Sequence, residues 1–183
     1  MKRKILFTVV LVIITGFVFR EPLFLKTVTY KSIGTRSGYK ITNAELIQYI
    51  DKNGTTEKNP DIRNIIKTSL DLTSGLLHFT FSKNERDPNK LITARAANCI
   101  GYSLSFASIC NYLLKKYGMA QEWTAKPQIG QLYCLGVNIH PYFDSPFFKD
   151  HDFVIIENKT TKESFAVDPT VNDYLRIDFV SGK

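Results

Sequence analysis

The most regular pattern of apolar positions in the chain lies between residues 98 and 118. Apolar and small side chains recur there at steps of three and four, the spacing of one helix face: Ser103, Phe106, Ala107, Cys110, Leu114 and Tyr117. Asn98 suits the N-cap position and Gly118 suits a helix stop. The pattern therefore predicts a long helix with Cys99 in its first turn.

Two helices are predicted before this one. Thr42 and Glu45 have the spacing of a capping box ahead of an apolar stripe, which predicts a helix near residues 43–52. A proline suited to a first helical turn, followed by an isoleucine stripe, predicts a second helix over residues 60–72. The tripeptide Asp87-Pro88-Asn89 predicts a turn.

Strand patterns replace helix patterns after Gly118. Residues 132–139 are rich in β-formers, and residues 151–157 and 163–167 are apolar or alternating on either side of a polar gap at 158–161. The last two segments predict a β-hairpin. Helices followed by strands indicate an α+β domain.

The hairpin register decides which side chains meet. A register that places the opposite charges of Glu157 and Lys162 across the loop also places His151 opposite Asp168. Directly opposed residues share a face of the sheet, so this register predicts an imidazole beside a carboxylate. The prediction assumes an even-length loop, because a slip of one residue would put the two on opposite faces.

The first 22 residues have a different character. Met1-Lys-Arg-Lys4 is basic, and residues 5–19 form an apolar run. Fifteen residues is short for a bilayer-spanning helix, which needs about 20, and this favours a signal peptide. Bulky residues at the end of the run, where signal peptidase needs small ones, favour an uncleaved anchor. In both cases the chain is expected to be exported, and to be secreted or periplasmic if cleaved.

These patterns divide the chain into three parts. Residues 1–22 are expected to be a signal anchor or signal peptide, residues 23–40 a linker or extended segment, and residues 41–183 one folded domain. The apolar content of 44% and aromatic content of 13% support a packed core. The net charge of +7 is spread without a Lys/Arg run, so the pattern does not support a nucleic-acid-binding surface.

Three residues have the chemistry of a nucleophilic site. A thiol is activated as the thiolate at a helix N-terminus or beside an imidazolium, and Cys99 meets the first condition by its position. His151 could supply the second. A carboxylate from Asp168 on the other ring nitrogen would orient the imidazole, which completes a nucleophile, base and orienting group.

The same residues resemble a known superfamily. The motif Cys99-Ile-Gly-Tyr-Ser103, the helix end Leu113-Leu-Lys-Lys-Tyr-Gly118, the strand start His151-Asp-Phe-Val154 and the segment Val167-Asp-Pro-Thr170 resemble the transglutaminase-like superfamily. The resemblance covers about residues 60–175. It implies a papain-like core, in which the cysteine begins a central helix that packs on an antiparallel sheet carrying the histidine and the aspartate.

The resemblance also implies an activity. Cys99 would be the nucleophile, His151 the general base and acid, and Asp168 the residue that orients the histidine. The reaction would be hydrolysis or acyl transfer at amide bonds of a protein or cell-envelope peptide, through a thioester and without a cofactor. The oxyanion donor that joins the Cys99 N–H has three candidates by chemistry alone: Trp123, Gln131 and Tyr133. The aromatic residue after the histidine is Phe153 where the superfamily often has tryptophan.

The other cysteines and histidines have structural interpretations. Cys110 is expected to pack in the core and Cys134 to lie in an apolar strand, where a disulfide between them is a further alternative. A zinc site would need Cys99, Cys134, His140 and His151 to converge, and no closely spaced ligand pair favours it. The alternative to an enzyme is an envelope-tethered binding or assembly module that keeps the fold.

Overall fold

The computed structural model describes residues 15–82 and 84–182, which form an α+β fold. The helices are α1 (Arg20–Thr27), α2 (Ala44–Asn53), α3 (Ile62–Leu76), α4 (Pro88–Ala94), α5 (Cys99–Lys116) and α6 (Pro169–Leu175). The strands are β1 (Val28–Thr35), β2 (His78–Phe79), β3 (Ala96–Ala97), β4 (Trp123–Cys134), β5 (Val137–Asn138), β6 (His151–Asn158), β7 (Ser164–Val167) and β8 (Ser181–Gly182). Two short 3-10 turns, His140–Tyr142 and Pro146–Phe148, lie between β5 and β6.

The main sheet has the strand order β7-β6-β4-β1-β8, with β5 beside β4. Its pairs are antiparallel except for β1 with β8, which is parallel. The two ends of the sheet approach each other, because the N–H of Val180 donates to the carbonyl of Ala166 at 2.9 Å. The sheet is therefore partly closed. Strands β2 and β3 form a separate parallel pair.

The sheet has an apolar cluster on each face. The larger cluster includes the buried faces of α3 and α5 and takes Val154 and Ile156 from β6. The smaller cluster contains Tyr30, Phe153 and Val180. Because neighbouring residues of β6 point to opposite faces, this strand contributes to both clusters.

The predicted long helix is present as α5, and three details of the other helices differ from the prediction. The N-cap of α2 is Asn43, whose side chain accepts from the Glu45 and Leu46 N–H groups, and not Thr42. Helix α3 begins after Asp61, which caps the N–H of Asn64. Asp87 does not form an isolated turn but caps α4. In each case a side-chain oxygen accepting from the first helical turn sets the start.

The strand prediction at 132–139 was displaced. Strand β4 begins nine residues earlier, at Trp123, and ends at Cys134. Leu135 and Gly136 then have φ angles of 48° and 84°, which form the tight turn into β5. The β-rich segment is thus the end of one strand, a turn and the start of the next.

The hairpin of β6 and β7 is present, but its register is two residues from the predicted one. Glu157 pairs with Ser164, because Asn158 folds the loop by accepting from the N–H groups of Thr160 and Thr161. Lys162, with a φ angle of 63°, is part of the same loop. Its Nζ atom still lies 3.7 Å from Oε1 of Glu157. A shift of two residues preserves the faces of the strands.

The segment at residues 23–40, expected to be a linker or an extended segment, contains regular structure, and β1 agrees with the extended alternative. It contains the end of α1 and all of β1, which lies between β4 and β8 in the sheet. Residues 1–14 of the expected signal or anchor lie outside the described residues. Among residues 15–82 and 84–182, no helix has the length and apolar character needed to cross a bilayer.

Candidate active site

Cys99 is the first residue of α5 and is nearly buried, with 4% of its surface exposed. The Asn98 side chain caps the helix by accepting from the N–H groups of Ile100 and Gly101. Within the part of the chain that the structure describes, the Cys99 N–H has no acceptor. The thiol and a free N–H therefore lie together at the positive end of a helix of 18 residues.

The position of His151 depends on a glycine. His151 is the first residue of β6 and lies opposite Gly130 of β4. A Cβ at Gly130 would come within 2.7 Å of the Phe153 ring and 2.9 Å of the His151 carbonyl oxygen. Only glycine lets the two strands approach this closely where the imidazole begins the strand.

His151 and Asp168 are in direct contact. The Nε2 atom of His151 lies 2.6 Å from Oδ2 of Asp168. Asp168 is also the N-cap of α6, because its Oδ1 accepts from the N–H groups of Thr170 and Val171. The carboxylate is thus fixed by a helix start, and its second oxygen faces the imidazole.

The pKa values of this pair are displaced in opposite directions. Burial lowers the pKa of His151, but the charge and hydrogen bond of Asp168 and the hydrogen bond of the Cys99 thiol raise it well above its usual value. Burial raises the pKa of Asp168, yet the His151 charge and hydrogen bonds from His151 and Tyr30 leave it below its usual value. His151 is therefore the residue on which the carboxylate and the thiol both act, and Nδ1 is the ring nitrogen that takes no part in the bond to Asp168.

Tyr30 is a site residue that sequence reasoning missed. Its hydroxyl donates to Oδ2 of Asp168 at 2.8 Å, and its side chain is buried. Its ring centroid lies 6.0 Å from that of His151. Burial and the Asp168 charge raise the Tyr30 pKa, so the hydroxyl remains a donor. The alternation of Val28 and Tyr30 with polar neighbours was the sequence signal that could have identified Tyr30 as part of a strand. It lay in residues 23–40, which were expected to be a linker or an extended segment.

A second charged pair stands beside His151. The Arg36 guanidinium forms a two-pronged hydrogen bond with Asp152, which is fully buried, and its Nη2 lies 3.9 Å from Asp150. Hydrogen bonding to Asp152 raises the Arg36 pKa, against the effect of burial, and the charges of Asp152, Asp150 and Cys99 add to it. Arg36 is therefore a cation within electrostatic reach of the thiol.

A cleft of about 310 Å³ opens beside Cys99. Aromatic rings of Phe81 and Phe147 line it together with the charged side chains of Arg86 and Asp150. Residues 140–148, a loop rich in aromatic side chains that precedes His151, thus contribute Phe147 to the wall of this cleft. An extended segment of a substrate could reach the thiol through it.

The three candidate oxyanion donors lie at different points of β4. Trp123 pairs with Asn158 and stacks on Phe165. This pair lies seven residues, or about 23 Å, along the strands from the pair of Gly130 with His151. Trp123 is therefore not at the site. Gln131 is adjacent to Gly130, and its Oε1 accepts from the Asn138 side chain at 3.1 Å.

The Tyr133 ring makes a cation–π contact with Lys31. Its ring lies 3.9 Å from the ammonium group of Lys31 and is three residues beyond Gly130. Gln131 directly follows Gly130, so its side chain points to the face of the sheet opposite the one that carries the His151 side chain. Among the described residues, no hydrogen bond or ring contact joins any of the three candidates to Cys99 or His151.

The other two cysteines differ from each other and are not linked. Cys110 is fully buried in α5, and burial raises the pKa of its thiol to about 12. Cys134 is exposed at the end of β4, where we had expected a core position. Both are free thiols, so the alternative of a disulfide between them is wrong in this structure.

Within residues 15–82 and 84–182, no hydrogen bond joins His78 or His140 to Cys99, His151 or Asp168. His140 is buried, its Nε2 accepts from the Leu132 N–H at 2.8 Å, and its Nδ1 donates to the Phe148 carbonyl at 2.6 Å. It fastens the aromatic loop to β4. Among the described residues, no cluster of three or more His, Cys, Asp or Glu side chains is arranged to hold a metal ion.

Comparison of the chain with protein-family models, with curated proteins and with solved structures gives no match. The resemblance to the transglutaminase-like superfamily therefore stays a prediction that rests on the motifs and on the geometry around Cys99.

Proposed function

We propose that the protein is a transglutaminase-like cysteine hydrolase or acyltransferase that acts on amide bonds. The observation that carries the proposal is the pair of His151 and Asp168, joined through Nε2 at 2.6 Å, with the Cys99 thiol at the start of α5 near enough to help raise the His151 pKa. A nucleophilic helix N-terminus beside an antiparallel sheet that carries the base also supports a papain-like core. Protein and cell-envelope peptides are the proposed substrates.

The reaction follows from these contacts. His151 takes the thiol proton as Cys99 Sγ attacks the amide carbonyl carbon, which forms the C–S bond of a tetrahedral intermediate. The imidazolium then gives that proton to the leaving nitrogen as the C–N bond breaks, and a thioester remains. Water or an amine attacks the thioester with His151 as base, and the proton returns to the thiol. Asp168 stays ionised and holds the ring through both steps.

The negative charge of the intermediate needs donors. The free N–H of Cys99 is the first, because the Asn98 side chain caps the two N–H groups that follow and leaves this one open. Loss of one such donor typically costs about 3 kcal/mol of transition-state stabilisation.

The test is the alkylation of Cys99 by iodoacetamide as a function of pH, measured by intact mass. Cys134→Ser serves as the parent, since Cys134 is the exposed thiol and would otherwise react as well. We expect Cys99 to react near neutral pH much faster than a simple thiol, and His151→Ala to remove the advantage. His78→Ala is the matched control, because His78 is exposed and its strand pairs only with β3.

Activity itself is tested by trapping. Acid quenching of the parent after exposure to envelope peptides should leave an acyl group on Cys99 that a hydroxylamine wash removes and that Cys99→Ala never acquires. A Cys99 that reacts no faster than Cys134 does in the wild-type chain, with no acyl adduct, would favour the non-catalytic binding module.

A further inference from the structure

Six aromatic side chains form a continuous surface beside the Cys99 cleft, here called the aromatic face. Its members are Phe79, Phe81, Phe143, Phe147, Phe148 and Tyr174. Ring centroids of successive members lie 5.0 to 6.3 Å apart, from Tyr174 through Phe79 to Phe143. Phe81 and Phe147 belong to both the cleft and this face.

Much of the aromatic face is open to solvent. Phe81 is 68% exposed and Tyr174 is 61% exposed, and Phe143 and Phe148 are also exposed. These large apolar rings are exposed at the surface and are not packed in the core. A contiguous apolar patch of this kind marks an interaction surface. Phenylalanine and tyrosine together suit the boundary between apolar and aqueous phases, because tyrosine keeps a polar tip.

Basic side chains surround the aromatic face. Arg86 lines the cleft with Phe81, the Lys149 ammonium lies 3.4 Å from the Phe143 carbonyl, and Arg176 follows the helix that carries Tyr174. Within residues 15–82 and 84–182, none of these three has an acidic partner. Two carboxylates lie in the same region: Asp150, which lines the cleft and lies 3.9 Å from Arg36, and the exposed Asp144, which follows Phe143. The three cations exceed these two carboxylates, so the rim keeps a small positive excess that an anionic surface would attract.

The N-terminal segment enters the domain at the same place. The Arg20 guanidinium donates to the carbonyl of Leu175, next to Tyr174, at 2.6 Å. Phe17 and Phe19, directly before α1, are 67% and 54% exposed. The sequence before them is apolar and begins with three basic residues after Met1. Residues 15–20, at the end of the apolar run, thus lie beside the aromatic face.

We propose that the aromatic face binds the surface of an anionic lipid bilayer. Its rings would enter the headgroup region, and the basic rim would contact lipid phosphates. The Cys99 cleft would then open at the level of the headgroups, so substrates would be membrane-proximal. That last consequence rests on the proposed function, whereas the binding of the face to lipid does not.

The test places tryptophan on the face. The full chain carrying Phe81→Trp is inserted into phosphatidylglycerol vesicles whose acyl chains are brominated, and the added tryptophan emission is measured. Phe81 is exposed, so the substitution leaves the core intact, and Phe148→Trp provides a second position. The natural Trp123 is buried and contributes a constant background. We expect loss of most of the added emission.

Tyr39→Trp is the matched control. Tyr39 is 40% exposed, and its carbonyl accepts from Ser108, nine residues or about 14 Å along α5 from Cys99. This tryptophan should keep its emission in the same vesicles. Quenching at position 81 should also fall when neutral phosphatidylcholine replaces the anionic lipid.

Three outcomes would overturn the proposal. An unquenched tryptophan at 81 and 148 would mean that the domain stands clear of the bilayer, with the face free for a protein partner. Equal quenching at 39 and 81 would mean that the domain has no fixed orientation. Equal quenching in neutral and anionic vesicles would remove the role of the basic rim. The measurement is made on Cys99→Ala as well, so its result is independent of catalysis.

Discussion

Tyr30 and His151 share a single oxygen of Asp168. The hydroxyl of Tyr30 lies 2.8 Å and Nε2 of His151 lies 2.6 Å from Oδ2, while Oδ1 accepts from two N–H groups of α6. Four donors on one buried carboxylate stabilise its ionised form. Asp168 therefore joins strand β1, strand β6 and helix α6 at the point where the imidazole is oriented.

Tyr30→Phe should weaken the orientation of His151 without disturbing packing. The phenylalanine ring can keep the contact with Phe153, whose centroid is 5.2 Å away, while Asp168 loses one donor. The acceptor is an ionised carboxylate, and a hydrogen bond to a charged group contributes about 2 kcal/mol, so the Cys99 alkylation rate near neutral pH should fall about thirtyfold. The Asp168 pKa should rise, and the acidic limb of the pH profile should move upward with it.

Tyr133→Phe is the control for this substitution, because it also removes a tyrosine hydroxyl from the sheet but leaves Asp168 untouched. An unchanged rate and an unchanged acidic limb in Tyr30→Phe would show that Tyr30 only packs and does not position the carboxylate.

Asp168→Asn and Asp168→Ala separate chemistry from stability. Asparagine can still cap α6, so this variant should lose only the stability that the charged pair with His151 contributes. It removes the charge that raises the His151 pKa, so that pKa should fall and alkylation of Cys99 should slow. Alanine loses the cap as well, at about 1 kcal/mol, and leaves the buried Tyr30 hydroxyl without its acceptor.

Urea unfolding and alkylation are measured on both variants. We expect a similar loss of alkylation rate in the two and a clearly larger loss of stability in Asp168→Ala. If Asp168→Asn retains the parent's alkylation rate, the carboxylate has only a capping function.

The same pair should give the fold a pH dependence of known sign. The His151 pKa is raised, so its stabilising contribution is complete below the unfolded value of about 6.5 and is lost as pH rises through the folded value. The Asp168 pKa is lowered, so its contribution is present above about 3.9 and is lost as pH falls through the folded value. Stability from this pair should therefore be greatest between the two unfolded values.

The thermal midpoint of the Cys134→Ser parent, measured against pH, tests this sign. It should decline on the alkaline side of the window, and His151→Gln should flatten that decline. A midpoint that instead rises with pH through the neutral region in the parent, and not in His151→Gln, would contradict the assigned direction of the His151 pKa.

The sequence predicted the parts of the site that depend on local signals. Asn98 caps the helix through its own side chain, so the start of α5 and the position of Cys99 could be inferred from neighbouring residues. The contact between His151 and Asp168 was inferred from a register two residues in error. The inference survived because strand faces alternate with a period of two, so an even error preserves them.

Tyr30 and Arg36 could not be inferred in the same way. Their partners lie 138 and 116 residues further along the chain, and no local periodicity relates them. Both come from strand β1 and the residue after it, in a segment that glycines and serines made similar to a linker. Only the sheet order, with β1 beside β4, brings that segment to the histidine.

The pair of Arg36 and Asp152 supports the strand that carries His151. Asp152 is fully buried, and burial raises its pKa even though the Arg36 hydrogen bond lowers it. Arg36→Gln would leave this carboxylate without its cation, which should cost about 3 kcal/mol in urea unfolding near neutral pH. Because the Asp152 pKa would rise further, the deficit should shrink as pH falls and the carboxyl becomes neutral.

The double variant Arg36→Gln with Asp152→Asn distinguishes this electrostatic cost from a loss of packing. It removes the buried charge together with its partner, and replacing both members of a buried pair is often nearly neutral for stability. We therefore expect the double variant to be more stable than Arg36→Gln alone and its stability to lose the added pH dependence. If the double variant is as unstable as the single one at every pH, Arg36 acts through the packing of its side chain and not through its charge, and β6 is held in place by apolar contacts alone.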